Sequence, residues 1–295
     1  MEDLSDSSVD SGILFGPGNP NNWKRSLPAL LQMAFPPHNQ QQPPTAQAVA
    51  AASFRSIAAV HATFWRRSDL VQYQWLRRAG WLQGKDPDSW EASQKLIRDY
   101  WTEYCQTEAS PAHTCRAPTL RWDPLVKAAA DKAIQGISWE AQFSRLNENG
   151  RSTLVHGDFW PGNVLWMLHG DGDSTSQSKP PIRLLDWEMT GLGSGPQDLG
   201  QYIFSNMDPS ERRVCERELI DIYWKELTRL GVEDVTWQHC WHEYTVSGVE
   251  RWLWFLVYFC GQDNLLEWAQ FFHDQIAAFM HDHSLTTADI TQPRP

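Results

Sequence analysis

The chain has 295 residues, 41% of them hydrophobic and 21% charged, a composition ordinary for a soluble globular protein of one or two domains with a large core. Its formal net charge of −11 argues against nucleic-acid binding, which needs a basic surface, and is compatible with a cationic small-molecule partner. Five cysteines without a Cys-x-x-Cys pair, and no signal peptide, point to a reducing, cytoplasmic setting, and no apolar run is long enough to span a membrane.

Gly12-Ile13-Leu14-Phe15-Gly16-Pro17-Gly18 reads as a surface turn, since no strand carrying a lysine follows it and Lys24 sits among polar residues. Residues 24–34 can form a short helix. Phe35 to Pro44, rich in Pro, Gln and Asn, reads as a low-complexity spacer unable to pack. From Ala46 to Arg67 the pattern is helical, with Ile57, Val60, His61, Phe64 and Trp65 on one face. A histidine on such a face is expected to be a hydrogen-bonded core residue. Ser89 to Tyr104, Pro124 to Gln135 and Ile137 to Asn147 follow as helices, with a loop at Thr107 to Pro118 and a turn at Asn149-Gly150.

The next stretch is Leu154-Val155-His156-Gly157-Asp158-Phe159-Trp160-Pro161-Gly162-Asn163-Val164-Leu165-Trp166. It reads as a buried strand, a polar turn and a second strand, Val164 to Leu168. The loop His169 to Ser176 resembles a calcium site at first sight. An EF-hand's glycine and glutamate positions hold Ser176 and Ile182, however, so a solvated hairpin tip is expected. A third apolar run, Ile182 to Leu185, ends in Asp186-Trp187-Glu188, and Gly191 to Gly195 reads as a glycine-rich turn ahead of a helix. The layout brings one carboxylate (Asp158), one amide (Asn163) and a second carboxylate (Asp186) to adjacent strand ends. Phosphoryl transfer from a nucleotide needs these groups: an acid to position the acceptor hydroxyl, and an amide and an acid to hold magnesium on the phosphates. Glu211 to Leu230, Thr236 to Phe259 and Asn264 to His281 read as three further helices, with a frayed tail from Ser284. Most of the 17 tryptophans are expected in their core. His239-Cys240-x-His242 and His281-x-His283 do not complete a four-ligand zinc pattern.

His-Gly-Asp-x-x-x-x-Asn followed by Asp-Trp-Glu resembles the aminoglycoside phosphotransferase and choline kinase-like superfamily, in the wording of its choline/ecdysteroid kinase-like branch. The turn from Gly191 into Asp198-Leu199 is similar to that family's next motif. The resemblance implies an α+β, protein-kinase-like fold, mainly the helical C-terminal lobe with a small β hairpin carrying the catalytic and metal loops. It implies an ATP- and Mg2+-dependent phosphotransferase acting on a hydroxyl of a small molecule. Asp158 would position the acceptor hydroxyl and receive its proton, and His156 would brace its loop, with Asn163 and Asp186 on the metal. Gly157, Glu188 and Asp198 complete the motif, Asp198 as a helix cap, with Glu188 touching the metal's surroundings or simply solvated. The family's acceptor pocket lies on the helices after the metal acid, which makes Trp237, Trp241, Glu243 and Glu250 pocket candidates, with an aromatic wall suited to a protonated amine.

Glu2-Asp3-Leu4 resembles the family's nucleotide-binding hinge. On that reading residues 1–45 are a hinge remnant and insertion, 46–283 the phosphotransferase domain and 284–295 a tail. The lobe that carries the phosphate-gripping lysine would then lie upstream, and turnover by this chain would be feeble. The alternative is a catalytically impaired large lobe serving as a binding or scaffold module.

Overall fold

The computed structural model describes residues 4, 7–37, 42–73, 76, 87–105, 120–136, 151–168, 181–262 and 264–291. The chain is α+β, mostly helical, with two small antiparallel sheets. The expected helix at Ile137 to Asn147, the turn at Asn149-Gly150, and the loops at Thr107 to Pro118 and His169 to Ser176 lie outside the described residues.

A short strand, β1 (Ser8–Asp10), opens the described chain and pairs with a later strand. The stretch expected as a surface turn is instead a 3-10 helix, Ser11–Phe15, with Ile13 and Phe15 buried. Asp10 accepts from the Gly12 amide at its start, and Gly16 turns the chain away with φ 76°. The apolar side chains of this stretch gain more by burial than a solvated turn would allow. Helix α1 (Leu27–Ala34) follows, and Phe35, at the start of the expected spacer, is buried.

Helix α2 (Ala46–Thr63) is capped by Thr45, whose hydroxyl accepts from the Ala48 amide. It stops four residues before the sequence pattern does, and Arg66 turns with positive φ as its amide bonds the Ser152 carbonyl. Helix α3 (Pro87–Tyr100) runs into a wider π turn, Trp101–Cys105, where continuous α-helix was expected. Helix α4 (Pro124–Gly136) follows.

The two sheets then form from residues close to the central motif. Strand β2 (Ser152–Val155) pairs with β5 (Gly191–Ser194), Leu154 opposite Leu192. The glycine-rich segment expected as a turn is therefore a strand, because its four residues are held in register along β2. Strand β3 (Val164–Met167) lies between β1 and β4 (Ile182–Leu184), with Val164 opposite Leu184 and Asp10 opposite Leu165.

Helix α5 (Gly195–Phe204) leaves β5 directly and is buried on nearly every face. Helices α6 (Pro209–Arg229), α7 (Trp237–Cys260) and α8 (Leu266–Asp282) pack around it. Where a frayed tail was expected, a last short helix, α9 (Thr287–Thr291), packs on α4 and α7 with Leu285 and Ile290 buried. One apolar core joins these helices to β3 and β4.

Candidate active site

The turn from His156 to Asn163 joins β2 to β3, and its backbone is held from three sides. Gly157 adopts φ 82°, and a Cβ there would lie 2.0 Å from the Met189 carbonyl oxygen, so only glycine fits. His156 donates from Nε2 to the Leu185 carbonyl at 2.8 Å and accepts at Nδ1 from the Asp158 amide at 3.3 Å. Both ring nitrogens are thereby engaged in bracing, and the Trp187 ring covers the imidazole at 4.4 Å between centroids. The Thr190 hydroxyl donates to the Val155 carbonyl at 2.8 Å.

Asp198 supports the turn from beneath. It lies in the first turn of α5, three residues inside, and the cap position belongs to Ser194. Its expected capping role is therefore corrected: Oδ2 accepts from the His156 amide at 2.7 Å and Oδ1 from the Gly157 amide at 3.1 Å. His61 Nε2 lies 3.3 Å from the same carboxylate, and its Nδ1 meets the Tyr223 hydroxyl at 2.8 Å. Asp198 is fully buried. Burial alone would raise its pKa, but the hydrogen bond from His61, the attraction of the neighbouring imidazoles and the His156 amide hold it below the ordinary carboxylate value. His61 is thus a buried, hydrogen-bonded residue, as the helical pattern indicated.

The structure brings Asp158 and Asn163 into direct contact. Asn163 Nδ2 donates to the Asp158 carbonyl and to Asp158 Oδ2, both at 2.9 Å. The Asn163 carbonyl in turn accepts from the Leu185 amide at 2.9 Å, which brings the following residue, Asp186, alongside the turn. Asp186 is exposed and takes the left-handed conformation, φ 60° and ψ 65°. A non-glycine residue held there commonly marks a functional position. Glu188 is exposed in the short 3-10 turn Trp187–Met189. Because Asn163 spends its N–H groups on Asp158, its Oδ1 remains for an electropositive ligand. It and the Asp186 carboxylate are oxygen donors of the kind that magnesium takes. Among the described residues no three His, Cys, Asp or Glu side chains gather into a metal site of their own.

One contact had no signal in the sequence. Gln201, buried in α5, donates from Nε2 to Asp158 Oδ1 at 2.9 Å. A single glutamine on a helix belongs to no spaced motif, so only the fold reveals it.

The pocket candidates fare differently. Trp237 and Trp241 stack at 5.3 Å, and Arg217 of α6 lies over both rings at 4.8 and 4.9 Å. They stand at the start of α7 beside Arg151, which reaches His239 at 3.4 Å ahead of β2. Asp158 lies past the other end of that strand. The aromatic pair thus already holds a cation, the Arg217 guanidinium. Glu243 is buried on the same helix. The Glu250 side chain, and Glu2 and Asp3 of the expected hinge, lie outside the described residues. Leu4 accepts from the Ser7 amide and the Ser8 hydroxyl, closing the turn into β1.

The model of the ecdysteroid kinase-like family matches residues 85–234, from α3 through the His156–Asn163 turn to the end of α6. The chain belongs to the ecdysteroid kinase-like family. No curated protein matches it. The family match spans every residue of the Asp158–Asn163–Asp186 arrangement and the α5 side chains beneath it. No described helix is long and apolar enough to cross a membrane.

Proposed function

We propose that this ecdysteroid kinase-like protein transfers the terminal phosphate of ATP, bound with Mg2+, to a hydroxyl group of a small molecule. The observation that carries this reading is the Asn163 side chain, whose Nδ2 is committed to Asp158 and whose backbone carbonyl is tied to Leu185, one residue from Asp186. On this reading Asp158 accepts a hydrogen bond from the acceptor hydroxyl and takes its proton as the oxygen attacks the terminal phosphorus. The bond from phosphorus to the bridging oxygen breaks, and its electron pair leaves on ADP. Asn163 Oδ1 and Asp186 would hold the ion, which neutralises charge on the phosphates when bound. His156 keeps the turn in shape and moves no proton.

The test is incubation of the purified chain with Mg2+ and terminally labelled ATP against a panel of hydroxyl acceptors. A polyhydroxylated steroid, choline, ethanolamine and an aminoglycoside cover the chemistry of the wider superfamily, and label transfer registers slow turnover. Magnesium-dependent label on at least one acceptor is expected, and loss of that label in Asp158→Asn. No transfer to any acceptor, and no release of labelled phosphate to water, would overturn the proposal.

A further inference from the structure

We propose that Gln201 is a positioning residue for Asp158, fixing the direction in which its carboxylate meets the acceptor hydroxyl; this rests on the phosphotransferase reading above. Asp198 and Gln201 are three residues apart on α5, so they share one helix face. Together they engage three consecutive residues of the turn. Asp198 takes the amides of His156 and Gly157, and Gln201 Nε2 donates to Asp158 Oδ1 at 2.9 Å. Asn163 Nδ2 occupies the other oxygen, Oδ2, at 2.9 Å. With one donor on each oxygen the carboxylate cannot rotate freely about its final bond. An ionised carboxylate has about four lone-pair sites, and roughly two remain for the substrate.

The same side chain carries a second sign of its purpose. Gln201 Oε1 is buried and has no hydrogen-bond partner, while the residue as a whole is only 2% exposed. Leaving an amide oxygen unpaired in the interior is destabilising, and a leucine of similar size would avoid it. Flipping the amide does not help, because it would set Oε1 against the Asp158 carboxylate. Of the two polar atoms of the amide, Nε2 is the one with a hydrogen-bond partner, and that partner is Asp158. Helix α5 is the right support for such a contact: it is buried, and its first turn is bonded to the same loop, so Gln201 and Asp158 move as one body.

Three variants test this in the full chain, with kcat, KM for ATP and melting temperature measured for each against the acceptor that the wild type labels, or water. Gln201→Leu removes the donor together with the unpaired oxygen. It should melt no lower than wild type, keep KM for ATP within about twofold and lose about ten- to a hundredfold in kcat, the scale of a misdirected catalytic group. Gln201→Glu keeps the shape but offers no amide donor, and should lose at least as much. Gln201→His can present a ring N–H at a similar reach, and should recover part of kcat, which mere filling of space would not produce. If Gln201→Leu folds poorly, the contrast between Glu and His decides the same point. Wild-type kcat in Gln201→Leu, or no difference between Glu and His, would overturn the role of Gln201 alone. A wild type that labels nothing would instead sink the phosphotransferase reading, and this one with it.

Discussion

A methyl group at position 157 has nowhere to go. Gly157 holds φ 82° with the Met189 carbonyl oxygen 2.0 Å from where a Cβ would stand, so Gly157→Ala must strain the backbone and push β5's lead-in away. A loss of about 1–3 kcal/mol is expected from the backbone alone, with more from the displaced carbonyl, read as a lower urea midpoint. An unchanged midpoint would show that the turn can relax around the extra carbon. Asp158→Asn asks a different question. The amide retains an oxygen and much of the shape, yet cannot take the acceptor's proton, so turnover should fall by about a hundredfold or more. Comparable turnover in the variant would remove Asp158 from the chemistry. At this scale the sequence was informative wherever spacing carries the message. His156, Asp158 and Asn163 stand at fixed steps in one turn, and Asp186 ends an apolar run. Gln201 was silent because its partner is 43 positions away in sequence and its type is unremarkable on a helix.

Between elements, a buried ionic knot joins α6 and α7 to the end of α8. Arg212, 1% exposed, reaches Glu216 at 2.9 Å and also pairs with Asp282. Glu216 Oε2 additionally accepts from the Tyr244 hydroxyl at 2.8 Å and lies 3.2 Å from His283 Nε2. Burial alone would raise the Glu216 pKa, but the hydrogen bond with His283 and the Arg212 charge outweigh it and hold the carboxyl below its ordinary value of 4.5. A carboxyl lowered on folding contributes stability that is fully present above its unfolded pKa and is lost as pH falls through the folded one. The chain should therefore weaken progressively below about pH 4.5, and Glu216→Gln should flatten that acid limb. At neutral pH the same variant should lose on the order of 2 kcal/mol, since Arg212 and Tyr244 keep buried polar groups with a poorer partner. Acid unfolding curves that superimpose for the two proteins would exclude this role. The long helices that carry the knot were legible from their periodicity to within a few residues. Short elements were not. Strand β1 has three residues, and β5 is half glycine, a poor strand former that takes strand geometry here only because β2 pairs with it.

Across the whole molecule the His156–Asn163 turn is embedded in the helical core, not perched on it. The Phe159 ring lies 4.8 Å from Tyr202 of α5 and 6.3 Å from Phe54 of α2, and Phe15 from the N-terminal 3-10 helix meets Tyr202 at 5.8 Å. Composition announced a tryptophan-rich core but could not say which rings meet which partners, such as the Trp237–Trp241 stack under Arg217. The C-terminal segment tests how far this continuity extends. It was expected to fray because twelve residues without a long period give no helical signal before their partners are known. Yet Leu285 is 8% exposed and Ile290 1%, and Asp289 accepts from both the amide and the hydroxyl of Thr286 to start α9. That helix packs on α4 and α7, the latter continuous with the core around α5. Burying two such aliphatic side chains is worth about 1.5–3 kcal/mol each, a large part of the roughly 5–15 kcal/mol by which domains are stable. Ile290→Ala should therefore cost about 2–5 kcal/mol, and a chain ending at Ser284 should lose more and expose enough of α4 and α7 to bind a hydrophobic dye. Both are measured by urea unfolding followed through tryptophan emission. A chain cut at Ser284 that unfolds at the wild-type midpoint would return the segment to the status of a loose tail and leave α4 and α7 to close the core without it.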